Sequence, residues 1–301
     1  MLPRRQIKGA LNRLGLQVTR VRPPGTPEKR RPRQPKLDLS LYDAYPPDSI
    51  EARRFYNIGA GSFAHPYWTN IDYATGWYGT VQNAFIEYDL MALKPLPIET
   101  DSAELIYSSH TVEHVSQEAV QNMLDESYRA LKPGGALRVT TPDILLDHAA
   151  FRRGDRHYYY WIDMWSRDGE WQKLYKRPPN TESTTQLFLH HFASQLCEND
   201  LDDTPARKIS DEEVIQVFDS RPLEEALDFF TSQCRFNPEH PGNHINWWSH
   251  DKMERCLRAA GFTEIYRSGY RQSKFAPMRE ASLFDSTHPP ISMYMEAVKT
   301  G

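Results

Sequence analysis

The chain has 301 residues, of which 39% are hydrophobic and 25% charged, and its formal net charge is −4. This is a globular composition, and the small net charge gives the chain as a whole no electrostatic preference for nucleic acid. No run of ~18 apolar residues occurs, the N-terminus lacks the apolar segment of a secretory signal, and the three cysteines form no C-x-x-C pair. We therefore expect a cytoplasmic protein without a disulfide framework.

Residues 1–36 form a basic segment with eleven Lys and Arg and a single acidic residue, Glu28. Apolar residues recur near helical spacing in "MLPRRQIKGALNRLGL", and proline is frequent in "RPPGTPEKRRPRQPK". The pattern predicts a basic amphipathic helix followed by an extended linker. Two interpretations stay open, a solvated tail and a helix lying on anionic lipid, and the second places the protein peripherally at the inner membrane.

Short apolar runs follow one another between residues 37 and 143, which we predict to form a cofactor-binding core. They are "RRFYNIGAG", "WTNIDYA", "NAFIEYDL", "AELIYSSH" and "ALRVTTPD". The fourth is continuously apolar, as expected of a strand that is buried on both faces. A helix is predicted at about 116–132, with Ser116 as its N-cap. Strands that alternate with helices predict a parallel, doubly wound sheet.

Residues 144–248 break this alternation, being aromatic, rich in histidine and irregular, as in "HYYYWIDMW" and "LFLHHFASQ". Such a stretch predicts an insertion that covers or shapes a substrate site. Regular patterns return over residues 249–301, with a helix at 250–260 capped by Ser249 and the strands "FTEIYRSGY" and "ISMYMEAVK". The expected fold is therefore α/β, with seven mostly parallel strands and a long insertion after the fifth.

Candidate ligand-binding residues stand at the ends of the first two predicted strands. Gly59 and Gly61 allow a tight turn, and Asp72 follows at a position where an acid can accept both hydroxyls of a ribose. The third glycine of the dinucleotide fingerprint is absent, because Ala64 and Pro66 stand in its place. The ligand should then carry a ribose and little or no phosphate. The alternative for Asp72 is a turn residue at a strand end.

Asp89 ends the third predicted strand, in "EYDL". An acid at this point can hold an adenine amino group while Leu90 packs on the ring, and the alternative is a helix cap.

The order of these elements resembles the class I S-adenosylmethionine-dependent methyltransferases, within them the type 11-like group. The resemblance covers residues 53–143 and 249–299 and rests on "FYNIGAGS…WTNIDYA", "YDLMALKPLPIETDSAELIYSSHTVEHV" and "SYRALKPGGALRVTTPD" taken together. It implies a Rossmann-like methyltransferase sheet, a methyltransferase activity and S-adenosylmethionine as cofactor.

The resemblance also implies the residues that bind the cofactor. The glycine turn would face the methionine part, Asp72 and its neighbour the ribose, Asp89 the adenine amine, and the serines after the fourth strand the cofactor floor. Asn57 stands where the family commonly has Asp, and its amide oxygen can still accept a hydrogen bond. The predicted set is Asn57, Gly59, Ala60, Gly61, Asp72, Tyr73, Asp89, Leu90, Ser108 and Ser109.

The stretch "IYSSHTVEHV" contains His110, Glu113 and His114 in the H-x-x-E-H spacing of inverted zinc peptidases. The apolar residues before the motif predict a strand, and Ser116 predicts a new helix two residues after it. A peptidase motif would need one continuous helix, so we predict a strand end and a helix mouth instead. Glu113 and His114 have a second interpretation, in which they only cap or brace that helix.

Methyl transfer to a hydroxyl needs a base that faces the methyl group, whereas an amine acceptor needs none. We name His110, His191 and His244 as candidates, with His110 first because it follows the fourth strand. The alternative for each is a packed or exposed histidine. We assign no metal ligand, although Asp143 and His191 could contribute to a divalent site.

The aromatic residues and the C-terminal elements resemble those of methyltransferases associated with bacterial surface-glycan assembly. The first hypothesis is O-methylation of a sugar or glycan hydroxyl in polysaccharide biosynthesis. The second is methylation of an aromatic or amine small molecule, and the third is a cofactor-binding regulator without catalysis. A polar group beside aromatic residues just before the helix at 250–260, as in His244, Asn246, Trp247 and Trp248, could form the acceptor wall. We expect no nucleic-acid partner, since the basic residues concentrate in the first 36 positions.

Overall fold

The structure, a computed structural model, describes residues 37–75, 84–204 and 207–301. Asp38–Gly301 forms one compact unit. The amphipathic helix and linker predicted for residues 1–36 lie outside the described residues. Within the part that is described, no helix has both the length and the apolar character needed to cross a bilayer.

Seven strands form a single sheet in the order β3-β2-β1-β4-β5-β7-β6. The first five pair in parallel, and β7 runs antiparallel to both β5 and β6. The predicted fold class is therefore confirmed. The strands are β1 (Phe55–Ile58), β2 (Trp68–Asp72), β3 (Ile86–Glu87), β4 (Ala103–Ser109), β5 (Leu131–Pro142), β6 (Glu264–Arg267) and β7 (Ser292–Val298).

The α-helices begin with a short one near the first described residues and continue to the last strand pair. They are α1 (Pro47–Glu51), α2 (Gln117–Ala130), α3 (Ile144–Arg153), α4 (Trp161–Asp168), α5 (Thr184–Ala193), α6 (Asp211–Ser220), α7 (Leu223–Thr231) and α8 (His250–Ala259).

The centre of β4, residues 105–107, is apolar because both faces of the strand are covered. Ile106 belongs to the core under α2 and α8, whereas Leu105 and Tyr107 belong to the core on the opposite face. This follows from the two-residue period of a strand. The predicted caps are also present, since the Ser116 and Ser249 hydroxyls accept hydrogen bonds from Ala119 N–H and Lys252 N–H.

Residues 144–248, which we call the helical cover, are not irregular as predicted, because they contain α3 to α7. These helices pack around a second apolar core that includes Phe188, Phe192, Phe218 and Phe230. Helix α5 has buried residues on most of its faces, Gln186, Leu187, Phe188, Leu189 and Phe192 among them. A helix buried on most faces lacks the single apolar stripe by which helices are recognised in a sequence, which explains why α5 was not predicted.

Candidate active site

The turn after β1 brings the ends of several strands together. Gly59 and Gly61 both have positive φ, +70° and +52°. A Cβ on Gly59 would lie 2.1 Å from Thr111 Oγ1, so only glycine fits this close approach. Asp72, at the end of β2, accepts a hydrogen bond from Gly61 N–H at 2.6 Å. The turn therefore lies at the carboxyl edge of the sheet, beside the point where the strand order reverses between β1 and β4.

The Asp72 carboxylate can still accept hydrogen bonds from the two hydroxyls of a ribose, as the sequence predicts. Its second oxygen accepts a hydrogen bond from Tyr73 N–H at 2.7 Å. Burial raises the pKa of Asp72, and the backbone hydrogen bonds from Gly61 and Tyr73 only partly offset this rise. Each carboxylate oxygen can accept a further hydrogen bond, so both remain able to receive the hydroxyls of a ribose. The alternative role as a turn residue is present at the same time.

Several buried polar atoms at the strand ends have no hydrogen-bond partner among the described residues. They are Asn57 Oδ1 on β1, Ser108 Oγ and Ser109 Oγ on β4, and Thr140 Oγ1 on β5. Buried polar groups are nearly always paired, so each of these atoms marks a place for a ligand or an ordered water. All but Thr140 belong to the predicted cofactor set, and Ala60 lies buried in the turn between them.

Asp89 lies at the same edge of the sheet as Asp72. Strand β3 pairs Glu87 with Asp72, and Tyr88 N–H donates to the Asp72 carbonyl at 2.8 Å. The Asp89 side chain accepts a hydrogen bond from Met91 N–H at 2.9 Å and so caps a 3₁₀ turn. The helix-cap interpretation is thus present, while Leu90 packs partly buried against the main core.

The residues of the H-x-x-E-H motif lie where a strand gives way to a helix. Strand β4 ends at Ser109, a 3₁₀ turn covers Val112–His114, and Ser116 caps α2. The motif is not carried by one continuous helix. The predicted strand end and helix mouth are confirmed, and the peptidase interpretation is excluded.

Glu113 is a buried carboxylate surrounded by imidazole rings. Its Oε1 lies 3.1 Å from His110 Nδ1, and its Oε2 accepts a hydrogen bond from Thr141 Oγ1 at 3.0 Å. Burial raises the pKa of Glu113. The contact with His110 and the nearby His114 and His244 lower this pKa by more than burial raises it, so the net pKa lies below its usual range. The carboxylate is therefore ionised at neutral pH.

His110 has both ring nitrogens engaged. Its Nε2 lies 2.8 Å from Ser292 Oγ, in addition to the contact of Nδ1 with Glu113. Its backbone has a φ of +49°, a conformation that residues other than glycine rarely adopt. Such strained residues concentrate at functional sites.

His191 has a different arrangement, with one nitrogen held and the other available. Its Nδ1 lies 2.5 Å from Asp147 Oδ2, and Asp147 is completely buried. In the described part of the chain, His191 Nε2 makes no hydrogen bond. Its sequence neighbour His190 instead stacks on Tyr175 with ring centroids 4.2 Å apart, which is the packed role left open for each histidine.

His244 completes a group that we call the histidine chamber, namely His110, His114, His191, His244 and His288 around Glu113. The rings of His244 and His114 are 4.7 Å apart, those of His244 and His191 5.3 Å, and those of His110 and His288 6.1 Å. The fold thus gathers all three predicted catalytic histidines in one place. Burial lowers the pKa of His244, and burial together with His110 and His191 lowers that of His288 to about 4.

Aromatic rings of the cover line one side of the histidine chamber. Trp161 lies 5.2 Å from both the His191 and His288 rings, and the Tyr160 hydroxyl lies 3.1 Å from His288 Nδ1. Next to His191, a small cleft is also lined by Glu113, Asp147 and Asn246. At the cofactor edge, Phe236 packs against Tyr73 at 6.3 Å. Residues of the cover therefore lie beside both the histidine chamber and Tyr73.

The structure changes two predictions about the cover, the acceptor wall of Trp247 and Trp248 and the possible metal ligand Asp143. Trp247 and Trp248 are buried, and Lys252 Nζ lies 3.9 Å and 4.8 Å from their rings, so they contribute more to packing than to an open wall. Asp143 does not share a ligand set with His191, because it caps α3 through Leu145 N–H at 2.9 Å.

Sequence reasoning missed Asp147, Thr141, Ser292 and His288 as parts of the site. Asp147 and Thr141 look like ordinary helix and strand residues, and their partners lie far away in sequence. His288 had a local signal in "STHPPI", because a histidine directly before two prolines is constrained; its φ is +41°.

The family model described as "Methyltransferase domain" matches residues 65–139. This stretch of the chain is similar to a methyltransferase domain, and the cofactor is S-adenosylmethionine. The matched residues run from just after the glycine turn into β5 and include Asp72, Asp89 and the whole of β4.

Several solved structures are similar to this chain at low identity. A possible histamine N-methyltransferase from Thermotoga maritima is 15% identical over 82% of this chain and 82% of that one, with a TM-score of 0.38. Phosphoethanolamine N-methyltransferase 2 from Haemonchus contortus is 13% identical over 82% of this chain and 48% of that one, with a TM-score of 0.36.

Human N-acetylserotonin methyltransferase is 12% identical over 84% of this chain and 51% of that one, with a TM-score of 0.34. No curated protein sequence matches the chain significantly. Likenesses this distant do not identify the acceptor.

Proposed function

We propose that this domain transfers the methyl group of S-adenosylmethionine to a hydroxyl oxygen, with a sugar or glycan as acceptor. The observation that carries the proposal is the pair of Asp147 and His191. A buried carboxylate that holds one imidazole nitrogen fixes the ring and its tautomer, and leaves the other nitrogen as a base. A neutral amine already carries a free lone pair and would need no such pair.

The chemistry asks little of the protein beyond alignment and removal of one proton. The acceptor oxygen attacks the methyl carbon in line with the carbon–sulfur bond. The oxygen–carbon bond forms as the sulfur–carbon bond breaks, the bonding electrons stay on sulfur, and S-adenosylhomocysteine leaves. The hydroxyl proton passes to His191 Nε2, while Asp147 stabilises the imidazolium that results.

The surroundings of His191 support a sugar acceptor. Tyr160 is exposed and offers a flat face on which the C–H side of a sugar ring can pack, while the buried Trp161 ring packs against it. The histidine chamber offers several hydrogen-bonding groups to the sugar hydroxyls. A planar phenol would use the aromatic faces but few of those polar groups. The combination therefore favours a ring with many hydroxyls.

The test uses labelled S-adenosylmethionine with three acceptor panels, namely sugar nucleotides and glycans, phenols, and amines. We expect label only in the sugar panel, and we expect His191→Ala to lower kcat by about 100-fold or more with unchanged cofactor affinity. His157→Ala, at an exposed histidine of the same cover, is the matched control and should behave as wild type. Transfer to amines that His191→Ala leaves intact would overturn the proposal, and cofactor binding without any transfer would favour a regulator.

We also propose that residues 1–36 bring the enzyme to anionic membrane, where lipid-linked glycans would be available. The support is the excess of basic over acidic residues in that segment. Deletion of residues 1–36 should abolish co-sedimentation with vesicles that contain anionic lipid and leave methyl transfer to a soluble acceptor unchanged. Equal sedimentation of both forms would refute this role.

A further inference from the structure

Three side chains of the histidine chamber converge on one point. The ligand atoms of Glu113, His114 and His244 all lie within 4.8 Å of one another. One carboxylate oxygen and two imidazole nitrogens are a ligand set typical of divalent transition metals, zinc above all. Ligands of a tetrahedral zinc with bonds of ~2.0–2.2 Å stand roughly 3.4 Å apart, so a modest rotation of the rings would close the site.

Hydrogen bonds fix the tautomers of both histidines in the way that metal binding needs. His114 Nδ1 lies 3.1 Å from the Asn243 carbonyl, and His244 Nδ1 lies 2.7 Å from the His191 carbonyl. A carbonyl oxygen can only accept, so each Nδ1 must donate, and in a neutral ring the lone pair is then on Nε2. His114 Nε2 lies 4.0 Å from Glu113 Oε1. This is the outer-shell pattern of metal-binding histidines.

Backbone hydrogen bonds fix the positions of Glu113, His114 and His244 relative to one another in the absence of a metal ion. The Glu113 carbonyl accepts hydrogen bonds from Ile245 N–H at 2.9 Å and Asn246 N–H at 3.2 Å. The segment that carries His244 is therefore pinned to the turn that carries Glu113 and His114. The Glu113 carboxylate is itself oriented by Thr141 and His110. A site that is built in advance loses less entropy when it binds its ligand.

We propose that Glu113, His114 and His244 bind a divalent transition-metal ion, with zinc as the expected occupant. Three protein ligands leave a coordination position open, as in catalytic rather than structural zinc sites. Contact of that position with an acceptor hydroxyl rests on the proposed function, whereas metal binding does not.

The test is a titration of the chelator-treated full chain with Co²⁺, which reports its coordination by visible absorption bands, followed by displacement with Zn²⁺. We expect one equivalent to bind, and His114→Gln and His244→Gln each to weaken binding by about 100-fold or more. His110→Asn, next to a ligand, should weaken it by ~10–100-fold. His157→Gln is the matched control, and thermal unfolding verifies that each variant is folded.

Absence of Co²⁺ bands in the wild-type protein, or identical bands in His114→Gln, His244→Gln and the double variant, would overturn the proposal. Binding of Mg²⁺ without Co²⁺ or Zn²⁺ would overturn the choice of metal. Because the titration needs neither cofactor nor acceptor, a failure of methyl transfer leaves this result unaffected. A metal-binding protein that methylates nothing would refute the proposed function alone.

Discussion

The edge of the sheet and the helical cover build their parts of the site in opposite ways. At the sheet edge, Gly61 and Asp72 meet across eleven residues of sequence, through a backbone N–H and one short side chain. In the cover, His191 meets Asp147 across 44 residues, and His114 meets Asn243 across 129. The parts of the sheet edge can therefore be recognised from contiguous motifs, whereas the histidine chamber is assembled only by the complete fold.

The strongest test of this contrast asks whether the cover is an independent unit. Phe188→Ala removes a fully buried ring from the core of the cover and should lower the free energy of unfolding by about 3–5 kcal/mol. Because Asp38–Gly301 is one compact unit, urea unfolding should remain a single transition. Met164→Ala, at an exposed position of α4, should change stability by ~0.5 kcal/mol or less. Two separate transitions would mean that sheet and cover fold independently.

The second prediction separates acceptor chemistry from cofactor binding. Asp147→Asn keeps the shape of the positioning residue but removes the charge that orients His191. We expect kcat to fall by ~100-fold or more, while the Kd for S-adenosylmethionine measured by calorimetry stays unchanged. A parallel loss of cofactor affinity would show that the two regions are not separable.

The third prediction concerns the close approach at the glycine turn. Gly59→Ala combines a positive φ with a contact against Thr111, and should lower the free energy of unfolding by ~1–3 kcal/mol and weaken cofactor binding. Gly134→Ala also has a positive φ but meets no atom within 4 Å, so it isolates the backbone strain. Equal losses in the two variants would argue against the importance of the Thr111 contact.

The same contrast between sheet edge and cover decides which parts of the fold and of the site could be predicted from the sequence. The sheet, the starts of α2 and α8 and the break between β4 and α2 were predictable, because Ser116 and Ser249 are local caps and residues 105–107 form an apolar run typical of a buried strand. The cofactor residues were named one by one and remain predictions. Helix α5 was not predictable because it is buried on most of its faces. The Asp147–His191 pair was not predictable because it is a long-range contact.

The smallest expected effect is a pH dependence of the free energy of unfolding that is caused by His65. Burial, assisted by Arg53, lowers the pKa of His65 to about 4, below the ordinary value of 6.5. Between these values the unfolded chain binds a proton that the folded chain does not, so stability falls as the pH drops from about 6.5 to 4.

His65→Gln should flatten the dependence of unfolding free energy on pH in that window. His157→Gln, at an exposed position, should leave the curve as it is. Identical slopes in the wild type and His65→Gln would contradict the assignment of this effect to His65.

The most direct test of the central claim is a calorimetric titration of the full chain with S-adenosylmethionine. We predict binding of one equivalent by the wild type and about 100-fold weaker binding by Asp72→Ala, because two hydrogen bonds to a charged carboxylate are lost. Glu87→Ala, at the exposed partner of Asp72 on β3, should bind as the wild type does. Absence of binding by the wild type, or equal affinity in Asp72→Ala, would contradict the account.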